Sequence, residues 1–151
     1  MKTLPLAACS GSTLGLLFRQ VRDAMWGRME HELSKAGHEL TFSQYITLKL
    51  LSFGPAGVTD LARHAELNPG AMTRLLDKLE ARGLLAREAD PADRRAVNIQ
   101  LTEAGRAMWL DVNQCGQRVR ERAMHGMSDA EREQLTRMLE QVRDNLSLSD
   151  T

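Results

Sequence analysis

Residues 68–84 read Asn68-Pro69-Gly70-Ala71-Met72-Thr73-Arg74-Leu75-Leu76-Asp77-Lys78-Leu79-Glu80-Ala81-Arg82-Gly83-Leu84, a helix with both ends spelled out. Asn is a strong N-cap and Pro suits the first helical position, where its missing N–H costs nothing. Gly83 supplies the usual C-terminal stop. Met72, Leu75, Leu76 and Leu79 share one face at about 100° per residue. Gly70, Arg74, Asp77 and Ala81 lie opposite, with Thr73 and Lys78 on the flanks. Upstream, 58–65 (V-T-D-L-A-R-H-A) predicts a short helix with Thr59 as its N-cap. Two short helices joined by a few residues make a helix-turn-helix.

Downstream, Leu84-Leu85-Ala86-Arg87-Glu88 leads into a polar stretch, 89–95, and Val97-Asn98-Ile99-Gln100-Leu101 alternates with period two. That is a β-hairpin, and a hairpin after a helix-turn-helix is a winged helix. Further out, Leu14, Leu17, Phe18, Val21, Met25, Met29 and Leu33 keep the spacing of a long amphipathic helix closed by Gly37. Thr41-Phe42-Ser43-Gln44 fits a capping box for a second helix, apolar nearly all round and therefore expected to be buried. Gly54-Pro55-Ala56-Gly57 breaks the chain after it. Thr102 caps a fifth helix reaching about Met124, and Ser128-Asp129-Ala130-Glu131 is a second capping box. The last helix carries the stripe Leu135, Met138, Leu139, Val142 and Leu146. The expected class is mostly α with a small β-hairpin wing (α+β). Its parts are a disordered tail (1–12), a helical dimerisation region (13–53 and 103–147) and a winged-helix DNA-binding lobe (54–102).

Composition narrows the function. With 151 residues, 42% hydrophobic and 26% charged, the chain is neither disordered nor fibrous. It has no run of about 18 apolar residues that would span a membrane. Cys9 and Cys115 are too few for a disulfide scaffold. Met1-Lys2-Thr3-Leu4-Pro5-Leu6-Ala7-Ala8-Cys9 ends like a lipoprotein processing site. Its apolar run is shorter than the roughly 7–15 residues of an export signal, so a cytoplasmic protein is expected. The sequence has no nucleophile elbow, phosphate loop or zinc-protease helix, so neither an enzyme nor a cofactor is expected.

The helix at 69–81 has the layout of a recognition helix. Gly70 and Ala71 allow close approach, Arg74 and Lys78 reach phosphates or guanine edges, and Thr73 meets a phosphate or a thymine methyl. Taken alone it reads more readily as an ordinary solvated face; its place in a winged helix reverses that and favours the groove. At the hairpin tip, Asp93-Arg94-Arg95 presents arginines to a narrow minor groove, with Asp93 holding one guanidinium, or else forms a polar turn. Charge itself gives no footprint. The full chain carries 20 basic and 20 acidic residues, and 59–102 holds seven basic (Arg63, Arg74, Lys78, Arg82, Arg87, Arg94, Arg95) against seven acidic (Asp60, Glu66, Asp77, Glu80, Glu88, Asp90, Asp93). DNA binding therefore requires the cations to face outward and the acids to lie elsewhere, with Asp77 paired to a neighbouring Arg. The unpartnered terminal stripes call for a two-fold dimer.

Residues 68–84, together with Asp90-Pro91-Ala92-Asp93-Arg94-Arg95-Ala96-Val97 and Leu101-Thr102-Glu103-Ala104-Gly105, resemble the MarR family of bacterial transcriptional regulators. The Thr41-x-x-Gln44-Tyr45 start and Asp60-Leu61-Ala62 are similar to it too. The resemblance implies a homodimer that binds a pseudo-palindromic double-stranded operator, usually as a repressor, and releases it to a small molecule or oxidant. By position it puts Pro69, Gly70, Ala71, Thr73, Arg74 and Lys78 in the major groove, and Arg94 in the minor groove with Asp93 and Arg95 as a supporting ion pair. Which arginine inserts stays open.

Family effectors occupy a cleft beside the dimerisation helices. All six aromatics (Phe18, Trp26, Phe42, Tyr45, Phe53, Trp109) lie in the first, second and fifth helices. Phe18, Tyr45, Met108 and Trp109 with Arg22 on the rim suit a small aromatic or phenolic anion, or the rings simply fill a core. Peroxide-sensing members carry a cysteine where this chain has Leu14, and Cys115 sits on an apolar stripe as a core residue does; both count against a redox-responsive regulator using Cys9 or Cys115, which stands as a rival reading. His31, His38, His64 and His125 are too scattered for a zinc sensor. A winged-helix dimer acting through protein contacts without DNA is the other rival.

Overall fold

Helices begin and end where their capping residues sit. The computed structural model describes residues 12–148. It orders them as α1 (Ser12–Lys35), α2 (Phe42–Leu51), β1 (Ala56–Gly57), α3 (Val58–Ala65), α4 (Pro69–Ala81), β2 (Leu85–Asp90), β3 (Asp93–Leu101), α5 (Glu103–Ala123) and α6 (Asp129–Asn145). The expected tail, with Cys9, falls outside the described residues. Both capping boxes form. The Gln44 N–H donates to Thr41 Oγ1 at 3.2 Å and the Thr41 N–H to Gln44 Oε1 at 3.0 Å; Ser128 and Glu131 repeat the exchange at 2.9 and 3.2 Å. Asn68 Oδ1 caps α4 by accepting from the Ala71 N–H at 2.8 Å. At the far end Gly83 takes φ +75°, which lets the Leu84 N–H reach the Leu79 carbonyl at 3.0 Å and the Gly83 N–H the Glu80 carbonyl at 2.8 Å.

Helix α3 departs from expectation. Its N-cap is Gly57, with no side-chain cap bond, and Thr59 lies inside the first turn. The sharp turn towards α4 is made by Glu66 in the left-handed region (φ 55°), with the Leu67 N–H bonded to the Ala62 carbonyl at 3.0 Å. Nothing in the residue type marks a glutamate for that conformation.

The hairpin β2–β3 pairs antiparallel from Leu85↔Leu101 to Asp90↔Asp93, with an irregularity between Ala89 and Asp90. A third strand joins it: β1 pairs Ala56 with Ile99 and Gly57 with Asn98, giving the order β1-β3-β2. The chain break at 54–57 thus runs straight into strand pairing. Along β3, Ile99 and Leu101 are buried while Val97 is exposed, because the hairpin outruns the core.

One core gathers Leu48 and Leu51 of α2, Leu61 of α3, the α4 stripe, and Leu85, Ile99 and Leu101 of the sheet. A second joins Met29 and Leu33 of α1 to Val112, Cys115 and Val119 of α5. Met108 and Trp109 pack against both. The all-round burial expected of α2 does not occur: only Thr47, Leu48 and Leu51 are buried, Phe42 is half exposed, and Phe53 lies past the helix end, 81% exposed. An apolar stretch shows which residues favour contact, not how many neighbours one chain supplies. In the same way Leu14, Leu17, Phe18, Val21 and Met25 of α1 stay exposed. Residues from Arg120 onward form a separate unit, in which α6 buries none of its residues. Arg132 closes the turn before α6 by donating to the Met124 and Met127 carbonyls at 3.1 and 3.2 Å. Among the described residues no helix is long and apolar enough to cross a membrane.

The start of α5 is clamped to the end of α4. Thr102 Oγ1 donates to the Gly83 carbonyl and accepts from the Gly105 N–H at 3.0 Å, while the Thr102 N–H reaches the Leu84 carbonyl at 3.1 Å. A Cβ on Gly105 would collide with the Leu84 carbonyl oxygen and press on Leu101 Cδ2 at 3.3 Å. Gly105→Ala should cost about 2–3 kcal/mol through that overlap and lower Tm by roughly 5–10 °C in a calorimetric scan; an unchanged Tm would contradict the close approach.

Helices α1 and α5 are also tied by charge. Arg118 Nε of α5 donates to Glu32 Oε2 of α1 at 2.9 Å; past the end of α1, the His38 ring places Nε2 3.6 Å from Asp111 Oδ2. The Arg118 hydrogen bond holds the Glu32 carboxyl below its ordinary value of 4.5, against a smaller opposing effect of burial. A depressed folded-state value means that the stabilisation is present above 4.5 and is lost as pH falls through the folded value. The stability difference between wild type and Glu32→Gln, measured by urea unfolding, should therefore shrink as pH falls below 4.5. A difference that persists unchanged into acid would rule the ion pair out as its source.

Candidate nucleic-acid interface

Burial of Met72, Leu75, Leu76 and Leu79 sets the rotation of α4 and turns Pro69, Gly70, Thr73, Arg74 and Lys78 to solvent, with Ala71 half buried. Thr73 Oγ1 donates to the Pro69 carbonyl at 2.9 Å, so its proton is used within the helix although the residue is exposed. Arg74 folds back over the first turn: its Nη1 lies 3.6 Å from where a Cβ on Gly70 would stand. The guanidinium is thereby carried towards the helix N-terminus, the end that a recognition helix presents to base edges.

Five of the seven acids of this region, Asp60, Asp77, Glu80, Asp90 and Asp93, have a partner within the chain. Arg87, on β2, places Nη2 2.8 Å from Asp77 Oδ1 and Nη1 3.0 Å from Glu80 Oε1. This is the neighbouring arginine that Asp77 required. Although burial opposes its charge, the hydrogen bonds from Arg87 to Asp77 and Glu80 outweigh it and raise the guanidinium above its ordinary value. Asp60 pairs with Arg63 at 3.2 Å, and Arg82 Nη1 donates to the Glu39 carbonyl at 3.2 Å. At the wing, Asp90 Oδ1 accepts from the Ala92 N–H at 2.9 Å and Asp93 Oδ1 from the Arg95 N–H at 3.0 Å. The expected grip of Asp93 on a guanidinium is therefore replaced by a turn bond to the main chain. The geometry at the tip favours that bond because the amide two residues on lies within reach of a short aspartate side chain. Among the described residues Arg74, Lys78, Arg94 and Arg95 are left without an ion-pair partner, and all four are exposed.

The five residues expected at an effector cleft fall into two groups. Tyr45 and Trp109 rings sit 5.9 Å apart, Tyr45 meets Trp26 at 5.8 Å, and Trp26 meets Phe42 edge-on at 5.1 Å. Met108 packs beside Trp109 on the same core. Phe18 and Arg22 lie further towards the start of α1, both exposed; Arg22 pairs with Asp23 at 3.3 Å and Phe18 has no ring partner among the described residues. An open cavity of about 500 Å³ at the α1–α2 corner is lined by Leu33, His38, Thr41, Gln44 and Arg82, and by none of the five. Cys115 is fully buried, with Sγ 3.3 Å from Arg118 Nη2. Among the described residues no three His, Cys, Asp or Glu side chains gather as a metal site would need.

The MarR family model matches residues 40–97. The HTH-type transcriptional repressor Rv2887 of Mycobacterium tuberculosis is 31% identical over 130 residues, covering 85% of this chain and 92% of that protein. The structure of Bordetella bronchiseptica BpsR, whose DNA binding is regulated by 6-hydroxynicotinic acid, superposes with a TM-score of 0.72 at 26% identity, covering 86% of this chain and 92% of that one. A mutant MarR from E. coli, complexed with operator DNA, gives 0.72 at 26% identity over 86% and 93%. The chain belongs to the MarR family, whose members are transcriptional regulators rather than enzymes.

Proposed function

We propose that two copies of this chain form a cytoplasmic repressor that binds a pseudo-palindromic operator and leaves it when a small aromatic acid binds. The observation that carries the reading is the sorting of charge in a neutral chain. Exposed Arg74, Lys78, Arg94 and Arg95 have no ion-pair partner among the described residues, while Arg87 holds Asp77 and Glu80, and Asp90 and Asp93 bond to turn amides. In this reading Pro69, Gly70, Ala71, Thr73, Arg74 and Lys78 approach the major groove and Arg94, flanked by Asp93 and Arg95, the minor groove. The lobe 54–102 carries the DNA contacts, and the exposed apolar stripes of α1 and α6 in 13–53 and 103–147 supply the subunit contact. Two structural relatives, MarR complexed with operator DNA and BpsR, whose DNA binding is regulated by 6-hydroxynicotinic acid, support both halves of the proposal.

Selection of a preferred duplex from random DNA followed by anisotropy titrations tests the DNA half. Arg94→Ala should weaken binding to all sequences and reduce the salt slope by about one. Arg74→Ala should cost about 1–3 kcal/mol and also relax base preference. If both variants bind as wild type does, the reading surface is misassigned; absence of duplex binding at low salt by a stable dimer would favour the protein-contact reading.

For the effector half, Tyr45, Met108 and Trp109 with Phe18 and Arg22 are the proposed lining. Both tryptophans of the chain, Trp26 and Trp109, belong to the ring chain that includes Tyr45. Aromatic acids, 6-hydroxynicotinic acid among them, should quench tryptophan fluorescence and dissociate the duplex over the same concentration range. Trp109→Phe should remove most of the quenching. Release of DNA without any fluorescence change would move the site elsewhere.

A further inference from the structure

We infer that Arg87, a strand residue outside the groups assigned to DNA, is a positioning residue that keeps Arg74 available for base edges by holding the carboxylates of Asp77 and Glu80. The inference rests on the DNA-binding reading above and concerns how its central arginine is kept free. Asp77 stands three residues after Arg74 on the outward face of α4, the spacing at which opposite charges pair on a helix. That pair does not form. The Arg74 guanidinium lies over Gly70, and Asp77 is bound by Arg87 at 2.8 Å.

The second arm of the same guanidinium takes Glu80 at 3.0 Å, one turn further along. A planar fork grips two carboxylates in this way, where a lysine ammonium offers only a point charge. The Arg87 side chain is 29% exposed against 61% for Asp77, so the cation is the covered partner and the acid the one nearer solvent. Strand pairing of Arg87 with Ile99 anchors its backbone, which keeps the fork from following Asp77 if that side chain turns away. Without Arg87, Asp77 has one nearby cation on its face, Arg74, and a freed carboxylate there also repels approaching phosphates. Glu80 is six residues from Arg74, about 9 Å along the axis, beyond pairing distance.

The test is a double-mutant cycle read by anisotropy on the selected duplex and on the same duplex with single base substitutions, with circular-dichroism melts alongside. Arg87→Ala should weaken binding about tenfold through unmasked like charge and loss of the Arg74 contact, and flatten the preference among the substituted duplexes. Asp77→Asn alone should stay within about twofold of wild type. Asp77→Asn added to Arg87→Ala should restore most of the affinity and the preference, although the tie between β2 and α4 is then absent. A double variant as weak as Arg87→Ala overturns the inference, since a purely structural role or a direct phosphate contact predicts no rescue. Wild-type binding by Arg87→Ala overturns it as well. If Arg87→Ala does not fold, Arg87→Lys with and without Asp77→Asn is judged by the same rescue. Failure of wild type to bind any duplex refutes the parent reading, whereas binding without an effect of Arg87 refutes this inference alone.

Discussion

A helix of thirteen residues presents four hydrophobic side chains on one face, and their burial orders the rest of the interface. Met72, Leu75, Leu76 and Leu79 are each covered almost completely. At about 1.5–3 kcal/mol for each such side chain, the stripe contributes on the order of 6–12 kcal/mol. Rotation of α4 by one residue would exchange this for burial of Thr73, Asp77 and Glu80, at the cost of desolvating two carboxylates. The rotation is therefore fixed by packing alone. Residues that face outward do so because the core rejects them, and what they contact is a separate matter of charge.

Net charge is a poor guide here because it averages over geometry. The lobe carries as many acids as bases, yet β2 brings Arg87 against Asp77 and Glu80, and turn amides occupy Asp90 and Asp93. Arg87 offsets one of the two carboxylates that it holds, and the turn amides fix where Asp90 and Asp93 point without removing their charge. A potential set by position in this way is weaker at long range than that of a basic protein, and it is more sensitive to individual ion pairs.

The parts of the fold that were legible in the sequence are those determined within a few residues. Capping boxes at Thr41 and Ser128, the Asn68-Pro69 start and the Gly83 stop are local hydrogen-bond problems with few solutions, and each occurs where the residues place it. The hairpin followed from alternation. What escaped depends on distant neighbours. Strand β1 exists because Ala56 and Gly57 meet Ile99 and Asn98 some forty residues away, and the α3 cap shifted to Gly57 along with that pairing. Phe53 and Phe42 are exposed because one chain offers α2 a core on one side only. At the site, the sequence identified the outward arginines and the need to pair Asp77, but not the partner; Arg87 is ten residues away and across a turn. The bond from Asp93 to the main chain was decided by turn geometry, which charge complementarity does not describe.

The bare stripes and the modest charge bear on one another. The exposed apolar side chains at the start of α1, and separately those along α6, stabilise little within one chain, and it is these that the proposed dimer would cover. In the proposed reading a single protomer offers DNA four unpaired cations, too few for strong binding at physiological salt. If the stripes join two protomers, the second half-site is engaged as an intramolecular step at high effective concentration, and affinity rises without further positive charge. The operator is then read by the spacing of two helices as well as by the bases each one touches, since half-sites must lie about one turn apart on the same side of the duplex. Under that arrangement a ligand needs only to alter the separation of the two lobes to release DNA. Within residues 12–119, Met108 and Trp109 pack against both the winged core and the α1–α5 core, so a ligand bound at the rings proposed for it would bear on both.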